Sequence, residues 1–245
     1  AGLESPRSTF VVTSLPRARR QNTPVRHVSL ALLLLALALP LALATPGPAS
    51  ETQEDDVRCL RGVKSALADP DGRLSAWTFG NTSAGAVCDF PGITCWNPQE
   101  SRVLGLSLAG FGLQGTVPSA LKYCRSTNIL DLSKNALEGP IPPALCDWLP
   151  FLVVLDLSGN RFSGPLPSEL ANCRYLNSLK LSHNNFSGQI PASLSRLERL
   201  KSLDLSENRL DGQIPPQLSA TFPKESFSGN PGLCGRPVSS HCGRD

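Results

Sequence analysis

The chain has 245 residues, 40% of them apolar, and carries 23 Lys and Arg against 20 Asp and Glu for a formal net charge of +3. That is enough apolar material for one sizeable core. The positive balance resides in residues 1–49, where Arg7, Arg17, Arg19, Arg20 and Arg26 face one acid, Glu4, and the remainder is near neutrality, which removes the ground for a nucleic-acid or membrane-surface role.

Residues 1–49 read as a targeting segment. The basic stretch is followed by an apolar run, Val28 to Ala44, broken by Pro40 and leading to the small residues Ala44, Ala49 and Ser50. A basic region, an apolar core of about 15 residues and a small-residue exit match a secretory signal. A membrane span needs about 20 residues, so the run is short for one. The basic region is long, and the sequence contains no Met.

Residues 50–102 are expected to form an N-terminal cap. Val57, Leu60, Val63, Lys64 and Leu67 share one helical face, Asp55 and Asp56 suit a helix start, and Pro70 with Gly72 ends the helix. Trp77 and Trp96 are expected to pack against the first repeat.

Residues 103–222 hold an internal repeat. The inner leucines Leu106, Leu130, Leu155, Leu179 and Leu203 recur every 24 or 25 residues, and LNSLKLSHNNFSGQIP (176–191) is the cleanest copy. Each L-x-L core alternates with period two, as a short strand with one buried face does. Asn135, Asn160, Asn184 and Asn208 follow the strands and can form a ladder of amides satisfying backbone groups of neighbouring turns; the first copy has Phe111 there. The Gly-x-(Ile/Leu/Val)-Pro element supplies a tight bend and a position needing no amide donor. One such strand cannot bury its leucines alone, but stacked copies share a core. The predicted fold is therefore α/β: a right-handed leucine-rich-repeat solenoid of five 24-residue repeats of the plant-specific type. The pattern fails at Ala220–Phe222, and residues 223–245 read as a C-terminal cap leading into a tail.

Eight cysteines behind a secretory signal imply an oxidising destination and a disulfide framework. Cys88–Cys95 and Cys234–Cys242 are expected as disulfides stapling the two caps. For Cys59, Cys124, Cys146 and Cys173, buried free thiols and a Cys124–Cys146 bridge are both open. Cys124 and Cys173 lie two turns apart, roughly 10 Å, and are too distant to pair. Asn81 and Asn185 occupy glycosylation sequons and are expected to be exposed and modified.

Gly110-Phe-Gly-Leu-Gln-Gly115 matches a dinucleotide fingerprint, but its glycines coincide with the turn of the first repeat, and no cofactor is expected. No zinc spacing occurs, and no nucleophile–acid pair surrounds His183, so no catalytic or metal site is expected.

The segments DDVRCLRGVKSAL, LSAWTF, CDFPGITCW, LKYCRS, LCDWLPFLVVLDLSGN, LSRLERLKSLDLSENRLDGQIP and SFSGNPGLCGRPVSSHC together resemble the ectodomains of plant BIR-type receptor pseudokinases, over about residues 54–242. That resemblance implies an inactive-kinase receptor that binds the ectodomain of a SERK-type co-receptor and negatively regulates receptor complexes in immune or growth signalling. It also implies an extracellular location, on the plasma membrane where the chain continues into a transmembrane segment. The present sequence ends at Asp245, as an excised ectodomain or a short secreted protein would. Two alternatives share the repeat type: a secreted inhibitor of a microbial cell-wall-degrading enzyme, and a peptide-ligand receptor ectodomain.

The strand-face positions left free by the repeat are the candidate binding residues: Asn128, Ile129, Asp131, Val153, Val154, Asp156, Ser178, Lys180, His183, Lys201, Asp204 and Glu207. Ile129, Val153, Val154 and Phe151 are apolar where polar residues would suffice, which marks an interaction surface. The partner is expected on the concave and lateral face of repeats two to five.

Overall fold

The computed structural model describes residues 51–80, 86–97, 102–238 and 242. The targeting segment and Asn81 lie outside them, so the structure bears on neither expectation.

Two six-stranded sheets are built from the repeats. The first contains β1 (Ile93–Cys95), β2 (Val103–Ser107), β4 (Ile129–Asp131), β6 (Val154–Asp156), β8 (Ser178–Lys180) and β10 (Ser202–Asp204). β1 is antiparallel to β2 and the rest are parallel, with the inner leucines aligned: Leu106 opposite Leu130, then Leu155, Leu179 and Leu203. A slip of one residue would turn every leucine of a strand outward, so burial fixes this register. All five are buried.

The second sheet was not foreseen. It comprises β3 (Gln114–Gly115), β5 (Ala136–Gly139), β7 (Arg161–Pro165), β9 (Asn185–Gln189), β11 (Arg209–Gln213) and β12 (Gly232–Cys234). The repeat glycine does take a positive φ, +84° at Gly164 and +74° at Gly188, but within this sheet rather than at a free bend. Phe162 and Phe186, one on β7 and one on β9, stack at 6.2 Å in the core between the sheets.

Short helices join β-strands across the turns. Three are 3-10 segments in the repeats, Ser119–Tyr123, Ser168–Asn172 and Ala192–Arg196. In the second repeat the 3-10 segment is replaced by an α-helical turn, here α2 (Leu145–Trp148), in which the Trp148 amide bonds the Ala144 carbonyl and the Leu149 amide that of Leu145. The α-helical turn absorbs one extra residue, which accounts for the single 25-residue spacing. The fifth repeat ends in α3 (Pro216–Thr221), with proline in its first turn where an amide has no helical partner.

The N-terminal helix α1 (Glu51–Ala66) starts earlier than expected. Asp55 and Asp56 therefore lie beyond its first turn, and Asp56 is buried instead of capping the helix. Its carboxylate accepts the Val103 amide at 2.8 Å, tying α1 to the first residue of β2. α1 packs closely on Ser119–Tyr123, and a Cβ at Gly62 would collide with that of Ala120. Trp77 is buried, stacks on Phe90 at 5.7 Å and donates from Nε1 to the Pro91 carbonyl. Trp96 does not pack: its amide still bonds the Arg102 carbonyl at 3.0 Å, but the side chain is 72% exposed.

Burial pushes the Asp56 carboxyl up to about 7, partly opposed by the Val103 amide and Arg102. Between pH 3.8 and about 7 the folded chain then keeps a proton that the unfolded chain has released. The stability that this group contributes is fully present below 3.8 and is lost as pH rises through that window. Asp56→Asn is expected to flatten this fall, checked by urea midpoints at acid and neutral pH; an unchanged slope would refute it.

The cysteine pairing departs from both open alternatives. Cys59 bonds Cys124 and Cys146 bonds Cys173, besides Cys88–Cys95 and Cys234–Cys242. The reason is geometric. α1 lies on the helix of the first repeat, placing Cys59 and Cys124 with Cα atoms 5.5 Å apart, while Cys146 on α2 faces Cys173 in the next turn at 4.9 Å.

The C-terminal cap is also more regular than its sequence suggests. The repeat pattern does not stop at Ala220–Phe222. Asn230 bonds the Leu210 amide and the Leu205, Phe227 and Ser228 carbonyls, as the repeat asparagines do, and β12 pairs with β11. The cap is a shortened sixth turn.

Candidate functional site

The candidate residues converge on the first sheet and the turns that follow its strands. Adjacent parallel strands place equivalent positions in rows, so Ile129, Val154, Ser178 and Ser202 form one row and Asp131, Asp156, Lys180 and Asp204 another. Ile129, Lys180, Lys201, His183 and Glu207 are exposed; Asn128, Asp131, Val153, Val154, Ser178 and Asp204 are half-buried.

The aspartates behave differently from expectation. Asp156 is buried, at 9% exposure, and is withdrawn from the contact surface. Its Oδ1 accepts from the Ser158 amide and hydroxyl, at 3.0 and 2.6 Å, and its Oδ2 lies 3.5 Å from Lys180 Nζ. Asp204 accepts in the same way from the amide and hydroxyl of Ser206, and Asp131 from the Ser133 amide. In the second, third and fifth copies an Asp-Leu-Ser triplet closes the turn out of the strand, which is a local side-chain-to-backbone motif. This column is scaffold first.

Lys134, His183 and Glu207 occupy one repeat position, each with φ near +55°, where the other turns have Gly110, Gly159 and Gly229. Left-handed backbone costs a non-glycine residue roughly 1–2 kcal/mol. These side chains are exposed and sit just before the ladder asparagine, or before Asn135 in the case of Lys134.

Asn185 is half-buried on β9, in the second sheet, rather than fully exposed. The Gly110–Gly115 motif opens no helix: its last two residues form β3, and a Cβ at Gly112 would collide with the Asp71 carboxylate. That glycine serves a close approach to the cap, not a phosphate.

Beside the first sheet the sequence marked Phe151, but it missed Tyr175 and Arg199, which continue the same column. Phe151 and Tyr175 each precede the buried leucine that enters a strand, Leu152 and Leu176. They are 55% and 42% exposed, too much for core residues, and their ring centroids lie 6.0 Å apart. Arg199 holds the same position one turn on, its Cζ 5.1 Å from the Tyr175 ring centroid. The signal was present as a column of large side chains at spacings of 24, but that position carries no leucine and falls outside the repeat consensus.

Comparison with known proteins places this architecture. Residues 53–96 match the leucine rich repeat N-terminal domain, and residues 126–148, 151–173, 175–197 and 199–220 match the leucine rich repeat. The inactive leucine-rich-repeat receptor-like serine/threonine-protein kinase BIR2 of Arabidopsis thaliana is 65% identical over 191 residues, covering 78% of this chain and 32% of that protein. A probable inactive receptor kinase of the same plant is 61% identical over 195 residues, again covering 32% of its length. The chain thus spans about a third of the length of the curated relatives it matches. Among solved structures, the BIR2 ectodomain of Arabidopsis thaliana superposes with a TM-score of 0.75 at 52% identity, covering 76% of this chain and 98% of that one. A chain from the BIR3–SERK2 complex of the same plant gives 0.73 at 50% identity, covering 75% and 97%. Cap, repeats and identity over nearly the whole of the BIR2 ectodomain agree: the chain belongs to the BIR-type family of leucine-rich-repeat receptor pseudokinases and corresponds to their ectodomain.

Proposed function

We propose that this chain is an extracellular protein-binding module, without catalytic activity of its own, that engages the ectodomain of a SERK-type co-receptor and thereby restrains receptor complex formation. The observation that carries this reading is the 50% identity to a chain of the BIR3–SERK2 complex across 97% of that chain. Four disulfides support an oxidising, extracellular setting. The relatives' description as inactive kinases accords with a binding role rather than a chemical one.

The contact surface is the exposed part of the first sheet. Ile129 keeps 38% of its surface in solvent, and the half-buried Val153 and Val154 continue the apolar strip on the next strand. Lys201 is exposed beside them, two repeats further on. A glycan on Asn185 would occupy the second sheet and leave this face open.

Because Asp204 closes its own turn, reversing its charge would disturb the fold as well as binding. Ile129→Asp with Lys201→Glu avoids that, since neither side chain has a hydrogen-bonded partner among the described residues. Calorimetric titration with the SERK2 ectodomain is expected to show at least a tenfold loss of affinity, about 1.4 kcal/mol, with unchanged melting. Wild-type affinity in the folded double variant would remove the sheet from the interface.

A further inference from the structure

The face of α1 that packs on the first repeat carries one ionisable group among hydrocarbon. Asp56, Leu60, Val63 and Leu67 follow one another at helical spacing, and all are buried. Another leucine would continue this stripe; a carboxyl there has lost its water. Among the described residues its hydrogen-bond donor is the Val103 amide at 2.8 Å, and no cation stands within ion-pair distance of it. Ionising a carboxyl in such a place is costly.

The charges around it leave it uncompensated. Asp55 beside it on α1 opposes ionisation, and Arg102 ahead of β2 favours it only in part. Arg58 of α1 and Lys122 of the facing 3-10 segment lie over the Tyr123 ring, Arg61 lies over that of Phe79, and Lys64 donates to the Trp77 carbonyl. These cations are engaged elsewhere.

Its place in the fold gives the group leverage. Val103 is the first residue of β2, the strand that joins β1 of the cap to β4. The Cys59–Cys124 disulfide pins α1 less than one turn beyond Asp56. Residues 51–58 can therefore lift from β2 while the rest of the helix stays seated by that bond and by Leu60, Val63 and Leu67.

We infer that the start of α1 is a pH-sensitive latch on the edge of the first sheet, closed while Asp56 is protonated and released, on the tether of the disulfide, once it ionises. In the open latch the carboxyl ionises near 3.8, and in the closed one at about 7. Between these values each opening releases one proton, so the open fraction rises about tenfold per pH unit and levels off above about 7. Arg58 leaves the Tyr123 ring as the latch opens, and the Val103 amide loses its acceptor.

Amide hydrogen exchange of the disulfide-bonded chain, read by NMR and corrected for the intrinsic effect of pH, tests this. Protection of the Val103 amide is expected to fall about tenfold between about pH 5 and pH 6, and to flatten above about pH 7. It is also expected to stay at least about tenfold below that of the Phe162 amide, which Asn184 holds inside the array. Asp56→Asn keeps an acceptor for Val103 but cannot ionise, and is expected to remove the slope at Val103. A pH-independent Val103 amide would overturn the latch, as would a slope that survives Asp56→Asn. Equal protection of Val103 and Phe162 at every pH would overturn it too, because the opening would then be global unfolding; this comparison needs the wild-type chain alone.

Discussion

Removing the Cys59–Cys124 disulfide, by Cys59→Ala with Cys124→Ala, is expected to destabilise the chain by about 4 kcal/mol, on a chain-entropy estimate for a closed loop of its size. The bond spans 65 residues and is the long covalent tie between the N-terminal helix and the first repeat. Everything between the two cysteines, including both tryptophans of the cap, is confined in the unfolded chain by that one link. The noncovalent ties it would leave behind are the burial of Leu60, Val63 and Leu67, the backbone pairing of Ala68 with Gln114, and a set of specific contacts. The Asp56 carboxylate holds the Val103 amide, the Arg58 guanidinium covers the Tyr123 ring at 3.9 Å, and Gly62 lets the helix seat on Ala120. A cap held only by these should open before the repeats do. The expected result is therefore a separate low-denaturant transition, seen in the fluorescence of buried Trp77, ahead of the main unfolding of the array. Loss of the Cys146–Cys173 bond, with a separation of 27, should instead lower the main transition, because it links two adjacent turns within the array. A double variant at Cys59 and Cys124 that unfolds at the wild-type midpoint would show that the helix is held by packing alone.

The contrast between these two bonds shows what the sequence could and could not reveal. The period was legible because each copy must bury the same side chains: Leu106 through Leu203 recur at fixed spacing since they are stacked in register in one sheet. Cysteine pairing follows from how elements far apart in the chain pack, and nothing in the spacing shows that α1 lies on Ser119–Tyr123. The second sheet was hidden for a different reason. Its strands carry glycine and proline, residues that ordinarily end strands, yet here they sit at Gly164 and Pro165 within one. The sixth turn was hidden by substitution and shortening: Phe227 stands where the repeats have leucine, and Asn230 follows Asn208 by 22 residues rather than 24.

The site was legible only in part for the same reasons. Alternation told which positions leave the core, and Ile129, Lys180 and Lys201 are indeed solvent-exposed. It could not tell which of the remaining polar residues are already engaged. Asp131, Asp156 and Asp204 look like free surface charges until their Ser partners two residues on are brought into hydrogen-bond reach. Tyr175 suffered the opposite error. Phe151 stood out as apolar at a free position, but Tyr175 read as an ordinary neighbour of Leu176, and exposure is what groups the two outside the core.

Truncating one rung of the asparagine ladder, Asn184→Ala, is expected to cost about 3 kcal/mol while leaving the composition of the core unchanged. Asn184 is buried, at 8% exposure. Its Oδ1 accepts from the Phe162 amide at 3.0 Å, and its Nδ2 donates to the carbonyls of Leu157, Leu181 and Ser182. Alanine leaves the Phe162 amide and the Leu157 carbonyl of the preceding repeat without their partner, at roughly 1–3 kcal/mol for each buried group stranded. Asn135 makes the same set of bonds, to the Leu113 amide and the Leu108, Leu132 and Ser133 carbonyls, but is only half-buried. Solvent can reach the groups it leaves, so Asn135→Ala should cost clearly less. The comparison of the two, by chemical denaturation, separates desolvation from bond count: equal losses would mean that the ladder acts through the number of its bonds, whereas the gradient expected here means that it acts through the burial of the backbone it satisfies.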